Sequence, residues 1–210
     1  MLLCDVGNST FHFYNSETYQ SNKVFIDEFK SENYTEEIYY INVNSNVEEL
    51  LTSLQNWYNI SNMINFETYY KTMGIDRVVS CENFIAQDIN IVVIDAGSAI
   101  TVDLITNGSY QGGFIYPGLA AFQNCFKMIS NRLDYSFNFE LDLDKMAQNS
   151  QDAITYGALR PFISEIERYS DYNVVITGGD AKVLESLFPE SKIDTLLVFK
   201  GMLEIIKKYK

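Results

Sequence analysis

The sequence predicts an α/β protein built from two similar halves, and three observations carry that expectation. An apolar strand runs into Asp5-x-Gly7-Asn8-Ser9, and ninety residues later another runs into Asp95-x-Gly97-Ser98. Each copy is followed by a further strand-like run. Between and after the two copies, β-branched runs alternate with segments whose apolar residues recur at three and four positions. A recurring acid-x-Gly turn at the end of an apolar strand points to duplication. The expected halves are residues 1–87 and 88–210.

Taken in order, Leu2-Leu3-Cys4-Asp5-Val6 and Phe11-His12-Phe13-Tyr14 read as a β-hairpin around the turn formers Gly7-Asn8-Ser9-Thr10. Val24-Phe25-Ile26 reads as a short strand and residues 37–43 as a buried one. Asn46 is placed to cap a helix over 47–57. Residues 60–73 are irregular and rich in Asn and Tyr, and a helix starts near Asp76 and passes through Cys81. In the second half, Asn90 to Ile94 is a continuous β-branched strand, as expected for a sheet covered on both faces. Ile100–Ile105 and Tyr110–Ile115 follow as strands around the two-residue turn Asn107-Gly108, and Tyr116-Pro117-Gly118 ends the second of them. Helices are expected over 119–133, over 150–169 with an interruption near Gly157 and Pro161, and over 181–187. A strand over 173–177 ends at Gly178-Gly179-Asp180, and 195–207 leads into a C-terminal helix.

Composition excludes several function classes. Of 210 residues, 15 are Lys or Arg and 28 are Asp or Glu, giving a formal net charge of −13. Nucleic-acid binding normally draws on a basic surface, and an anionic membrane surface repels such a chain, so neither partner is expected. No apolar run reaches the length of a transmembrane helix, and no signal peptide is visible. Cys4, Cys81 and Cys125 read as reduced thiols, so a cytoplasmic location is expected. His12 is the sole histidine, which leaves no multi-His metal centre and makes a Ser-His-Asp triad improbable. Any phosphate site on so acidic a chain must be built locally, from backbone N–H groups, a metal ion, or one or two basic side chains.

Five segments have the chemistry for such a site. Asp5-Val6-Gly7-Asn8-Ser9-Thr10 offers a carboxylate at a strand end, for Mg²⁺ directly or through water, and a turn whose N–H and hydroxyl groups suit phosphate. Asp95-Ala96-Gly97-Ser98 offers an opposing clamp for phosphate or a cation. Thr177-Gly178-Gly179-Asp180 lets backbone approach a flat or charged ligand, the lesser reading being Asp180 as a helix cap after a flexible turn. Gly74-Ile75-Asp76-Arg77 sets a proton-accepting carboxylate beside an anion-binding guanidinium, and by itself also fits a salt-bridged helix start. Gly112-Gly113-Phe114-Ile115-Tyr116-Pro117-Gly118 combines close backbone approach with an apolar middle. Eight of the 11 glycines fall in these five segments.

In this order and spacing, the five segments resemble those of type III pantothenate kinases, and the resemblance spans residues 5 to 180. It implies the sugar kinase/Hsp70/actin-like superfamily, with two ribonuclease-H-like (actin-like ATPase) α/β domains flanking a nucleotide cleft. It implies ATP-dependent phosphorylation of pantothenate to 4'-phosphopantothenate, the first step of coenzyme A biosynthesis. Mg²⁺, a monovalent cation (K⁺ or NH₄⁺) and a homodimer are also implied. Matched residue by residue, Asp5, Val6, Gly7, Asn8, Ser9, Thr10, Phe11 and His12 form the first ATP segment, joined by Ser98, Gly178 and Gly179. Gly74, Ile75, Asp76 and Arg77 contact substrate, Asp76 is the proton acceptor, and Ser150 stands where the family has a substrate-contacting Thr. A tyrosine upstream also contacts substrate, with Tyr70 favoured over Tyr69. Asp95 is the monovalent-cation ligand and Asp5 organises Mg²⁺. Ser9, Ser98 and Ser150 replace Thr but keep the hydroxyl. His12 stands where some members have Lys, and a neutral imidazole is a weaker phosphate partner. The alternatives are a catalytically silent nucleotide-binding regulatory relative of the same fold, or a phosphatase or sugar kinase on it.

Overall fold

Leu2–Val6 (β1) is the centre of a five-stranded sheet in the computed structural model, which describes residues 1–209. β1 pairs antiparallel with Thr10–Asn15 (β2), which pairs antiparallel with Gln20–Phe25 (β3). On its other edge β1 pairs parallel with Ile38–Asn42 (β4), and β4 with Trp57–Asn59 (β5). The order is β3-β2-β1-β4-β5. Successive residues of β1 point to opposite faces. Leu3 enters one core and Cys4 and Val6 another, so both faces of the strand are apolar apart from the half-buried Asp5.

The helix expected over 47–57 is shorter. Residues Ser45–Val47 form a 3₁₀ turn and only Glu48–Ser53 (α1) is α-helical. Asn44 rather than Asn46 caps this 3₁₀ turn, its side chain accepting from the Asn46 N–H, and α1, entered from Val47, has no side-chain cap. Trp57 leaves the helical pattern because its ring completes an aromatic cluster. It lies edge-on to Phe11 at 6.2 Å, and Phe11 stacks on Phe29 at 4.0 Å. Burying such side chains is worth about 1.5–3 kcal/mol each, more than the propensity of one helical turn. Ile75–Glu82 (α2) ends this part of the chain.

The second sheet repeats the topology. Ile91–Ala96 (β6), Ala99–Thr106 (β7) and Ser109–Pro117 (β8) form an antiparallel meander. Leu119–Ile129 (α3) and Ser150–Glu167 (α4) follow. Asn173–Thr177 (β9) then pairs parallel with β6. Ala181–Glu185 (α5) leads to Lys192–Ile193 (β10), parallel to β9. The order β8-β7-β6-β9-β10 matches that of the first sheet strand for strand.

Three expectations for this half change. The helix expected over 119–133 stops at Ile129, where Ser130 is extended, and Asn131–Leu133 is a separate 3₁₀ turn. α4 runs without interruption through Gly157 and Pro161. An interior proline costs a helix roughly 3 kcal/mol. The buried face of Ile154, Ala158, Leu159, Phe162, Ile163 and Ile166 outweighs that. Asp180 stands at the N-cap of α5 but its side chain makes no cap hydrogen bond.

By its contacts the chain forms two units, Met1–Ile85 with the segment from Leu196 onward, and Ala86–Thr195. The end of the expected half 88–210 therefore belongs with the first sheet. Leu197–Tyr209 (α6) buries Phe199, Met202, Ile205 and Ile206 against Leu3, Tyr14, Ile41 and Val79. Its apolar stripe at helical spacing matches the open face of that sheet. No helix among the described residues is long and apolar enough to cross a membrane.

Candidate active site

In the first unit, the turn after β1 is closed by the Gly7 N–H donating to the Thr10 carbonyl at 3.0 Å. Val6 and Phe11 on either side are fully buried and anchor it. Asn8 and Ser9 are exposed at its tip, with Thr10 half-buried. The turn is braced by Asn44, a residue absent from the sequence-based site. Only 5% exposed, its amide Nδ2 donates to the Gly7 and Asn8 carbonyls at 3.4 and 3.3 Å. Its Oδ1 accepts from the Asn46 N–H, so both ends of the amide are used. The repeated Asn42-x-Asn44-x-Asn46 after a strand is Asx-turn chemistry and was the available signal.

Asp5 pairs across the sheet with His12 on β2 and with Ile41 on β4. His12 packs edge-on against Phe199 at 4.8 Å. Burial, helped by the positive charge of Lys23, lowers its pKa from 6.5 to about 4. The imidazole is therefore neutral near pH 7 and has one N–H to offer a phosphate.

The second group in this unit stands at the start of α2. Gly74 is the extended N-cap residue and Asp76 lies in the first turn, where the helix dipole favours a carboxylate. Asp76 Oδ1 accepts from the Arg77 N–H at 2.9 Å. Arg77 is only 5% exposed, and its guanidinium donates to the Tyr70 hydroxyl and lies 5.7 Å from that ring. The two tyrosines separate cleanly. Tyr70 is 42% exposed and touches Arg77, whereas Tyr69 is 6% exposed and donates to Glu82 at 2.9 Å.

In the second unit, three loops converge on the end of β6. Asp95 lies within the strand, opposite Thr101 and Thr177. The Gly97 N–H donates to the Ala99 carbonyl at 3.0 Å, a turn one residue shorter than its counterpart at Gly7. The Ser98 carbonyl accepts from the Gly118 N–H at 3.2 Å, leaving its side chain exposed. The Ala96 carbonyl accepts from the Asp180 N–H at 2.9 Å. Gly178 has φ +92°, and a Cβ there would overlap the Ala96 carbonyl and sit 2.5 Å from Asp95 Oδ1. Gly179 faces open space. Asp95 and Gly178 are thus in close contact, with Ser98 and Gly179 on the adjoining turns. Ser150 stands apart, exposed in the first turn of α4 behind its cap Asn149.

Among the described residues no group of three or more His, Cys, Asp or Glu gathers as a metal cage. The donors available for a cation are oxygens: Asp5 in the first unit, and Asp95 with nearby backbone carbonyls in the second. A single carboxylate completed by substrate phosphates and water suits Mg²⁺, and oxygen-only sites suit hard cations generally.

Comparison with known proteins agrees with these features. Residues 57–171 match the family model for type III pantothenate kinase. A Sulfurimonas denitrificans type III pantothenate kinase is 50% identical over 208 residues, covering 99% of this chain and 98% of that relative. A Campylobacter jejuni crystal structure, described as a conserved Baf family transcriptional activator, superposes with TM-score 0.85 at 37% identity, covering 100% of this chain and 98% of the other. A Sinorhizobium meliloti structure described as a 2-dehydro-3-deoxygalactonokinase has TM-score 0.59 at 8% identity, covering 99% and 96%, a likeness of fold alone. The duplicated five-stranded sheets are those of the sugar kinase/actin-like ATPase fold. The chain belongs to the type III pantothenate kinase family.

Proposed function

We propose that this protein transfers the γ-phosphoryl group of ATP to the terminal hydroxyl of pantothenate, giving 4'-phosphopantothenate in the first step of coenzyme A biosynthesis. The observation that carries this reading is the 50% identity to a type III pantothenate kinase over essentially the whole chain. The start of α2 supports it, since Asp76 and the buried, tyrosine-held Arg77 are an acid and a cation fixed side by side.

Phosphoryl transfer depends mainly on positioning and charge stabilisation. Asp76 orients the pantothenate hydroxyl and takes its proton late in the transfer. Arg77 steadies substrate or the transferring phosphate, with Tyr70, Gly74, Ile75 and Ser150 completing the substrate contacts. The N–H and hydroxyl groups of the Gly7–Thr10 turn, with Ser98, hold phosphates. Val6 and Phe11 keep that turn in place, His12 adds a neutral donor, and Gly178 and Gly179 admit the nucleotide to the backbone. Asp5 holds Mg²⁺, directly or through water, and Asp95 holds K⁺ or NH₄⁺. These ions supply the positive charge that a chain of net charge −13 lacks.

A homodimer in the cytoplasm, with ATP and pantothenate as its ligands and neither nucleic acid nor membrane as partner, completes the reading. α3 supports the dimer: it buries none of its residues, and Met128 and Ile129 are exposed. The test is a coupled assay of the purified protein with ATP, pantothenate and Mg²⁺, with and without K⁺. Phosphopantothenate formation stimulated by K⁺ is expected. No product under any of these conditions contradicts the reading.

A further inference from the structure

We propose that Tyr69 and Glu82 are a positioning pair that sets Tyr70 and Arg77 for substrate, with Lys208 of the C-terminal helix fixing Glu82. The proposal rests on the reading of Tyr70 and Arg77 as pantothenate contacts. Tyr69 has extended backbone, φ −118° and ψ 162°, so its side chain and that of Tyr70 leave the chain on opposite sides. Tyr69 turns inward and its hydroxyl donates to Glu82 Oε1 at 2.9 Å, while the Tyr70 hydroxyl receives Arg77. Glu82 and Arg77 lie on the same helix, α2, so two adjacent tyrosines tie one loop to it at two points.

Both oxygens of Glu82 are engaged. Oε2 accepts from Lys208 Nζ at 2.8 Å, and the Glu82 side chain is only 12% exposed. A carboxylate held by two donors in so little solvent has one orientation. α6 is itself locked to α2. The Asn83 amide donates to the Leu197 carbonyl at 2.9 Å, and Gly201 packs so closely on the Val79 carbonyl that a Cβ has no room. The chain of contacts therefore runs from α6 through Lys208, Glu82 and Tyr69 to the backbone that carries Tyr70. Arg77, almost without solvent, has the Tyr70 hydroxyl among its acceptors, so a displaced Tyr70 leaves it with one fewer.

The test uses full-length Tyr69→Phe, Glu82→Gln and Glu82→Ala. Tyr69→Phe removes one oxygen and leaves the ring. Its pantothenate KM is expected to rise about five- to tenfold, with kcat and the ATP KM within about twofold. Glu82→Ala should match it, and Glu82→Gln, which keeps one acceptor for Tyr69 but loses the one for Lys208, should fall between wild type and Glu82→Ala. A second readout needs no turnover: the Arg77 Nε–Hε NMR signal should move in Tyr69→Phe and move less in Glu82→Gln. An unchanged Arg77 signal and an unchanged pantothenate KM in Tyr69→Phe would overturn the positioning pair. If the wild type makes no phosphopantothenate yet the signal moves as expected, the substrate reading falls and the pairing stands.

Discussion

A Cβ atom on Gly74 would lie 2.6 Å from Oδ1 of Asp76. The Asp76 carboxylate therefore occupies the space that a side chain at residue 74 would take. Because it is the end of a flexible side chain, it can move aside at little cost in stability and at a large cost in alignment. Gly74→Ala is expected to lower kcat about 10- to 100-fold, as misplacement by about 1 Å does. Its unfolding free energy should change by less than about 1 kcal/mol. Steady-state kinetics beside urea denaturation checks both, and wild-type kcat would show that Asp76 needs no such space.

Asn44 offers a separable test of the Gly7 turn. Asn44→Asp keeps the acceptor used by the Asn46 N–H and loses the donors to the Gly7 and Asn8 carbonyls. It also sets a negative charge against those carbonyls. The ATP KM should rise roughly tenfold, about 1.4 kcal/mol, while the pantothenate KM holds. Equal shifts in both constants would mean that Asn44 supports the unit generally rather than the turn.

Gly178→Ala forces a β-carbon into a φ of +92° and against the Ala96 carbonyl. Strain and overpacking together should cost about 2–4 kcal/mol of stability, read by urea denaturation. A loss below about 0.5 kcal/mol, within the range of an ordinary surface change, would contradict the close packing at Asp95.

The His12 ring links stability to pH. Its pKa is about 4 folded against 6.5 as the ordinary value, so between those values the unfolded chain binds the extra proton. Stability from this group is fully present above pH 6.5 and is lost as pH falls towards 4. His12→Gln should flatten the stability difference between pH 7 and 5 relative to wild type. Parallel pH profiles for the two proteins would show that His12 carries no such linkage.

The strand ends and their glycine turns were legible because each is written in adjacent residues. Asp5-x-Gly7 and Asp95-x-Gly97 both close the central strand of a sheet, and the sheets share one order. What was hidden depends on distant partners. Trp57 continues a helical pattern in sequence, yet its ring belongs with Phe11, Phe13 and Phe29. α6 follows the second unit in sequence, but its apolar stripe fits the first sheet, and nothing local says which open face it covers. Sequence favours Tyr70 over the adjacent Tyr69 by little, and their different partners, Arg77 and Glu82, come only from the structure. Asn44 was missed because its two carbonyl partners lie 36 and 37 residues away.

The central claim is that Asp76 serves phosphoryl transfer to pantothenate, and Asp76→Asn tests it most directly. Asparagine keeps the shape and the Oδ1 acceptor for the Arg77 N–H but cannot take the substrate proton. Phosphopantothenate formation should fall about 10²- to 10⁴-fold while ATP binding, measured by calorimetry, stays at the wild-type value. Turnover equal to wild type would remove Asp76 from the mechanism.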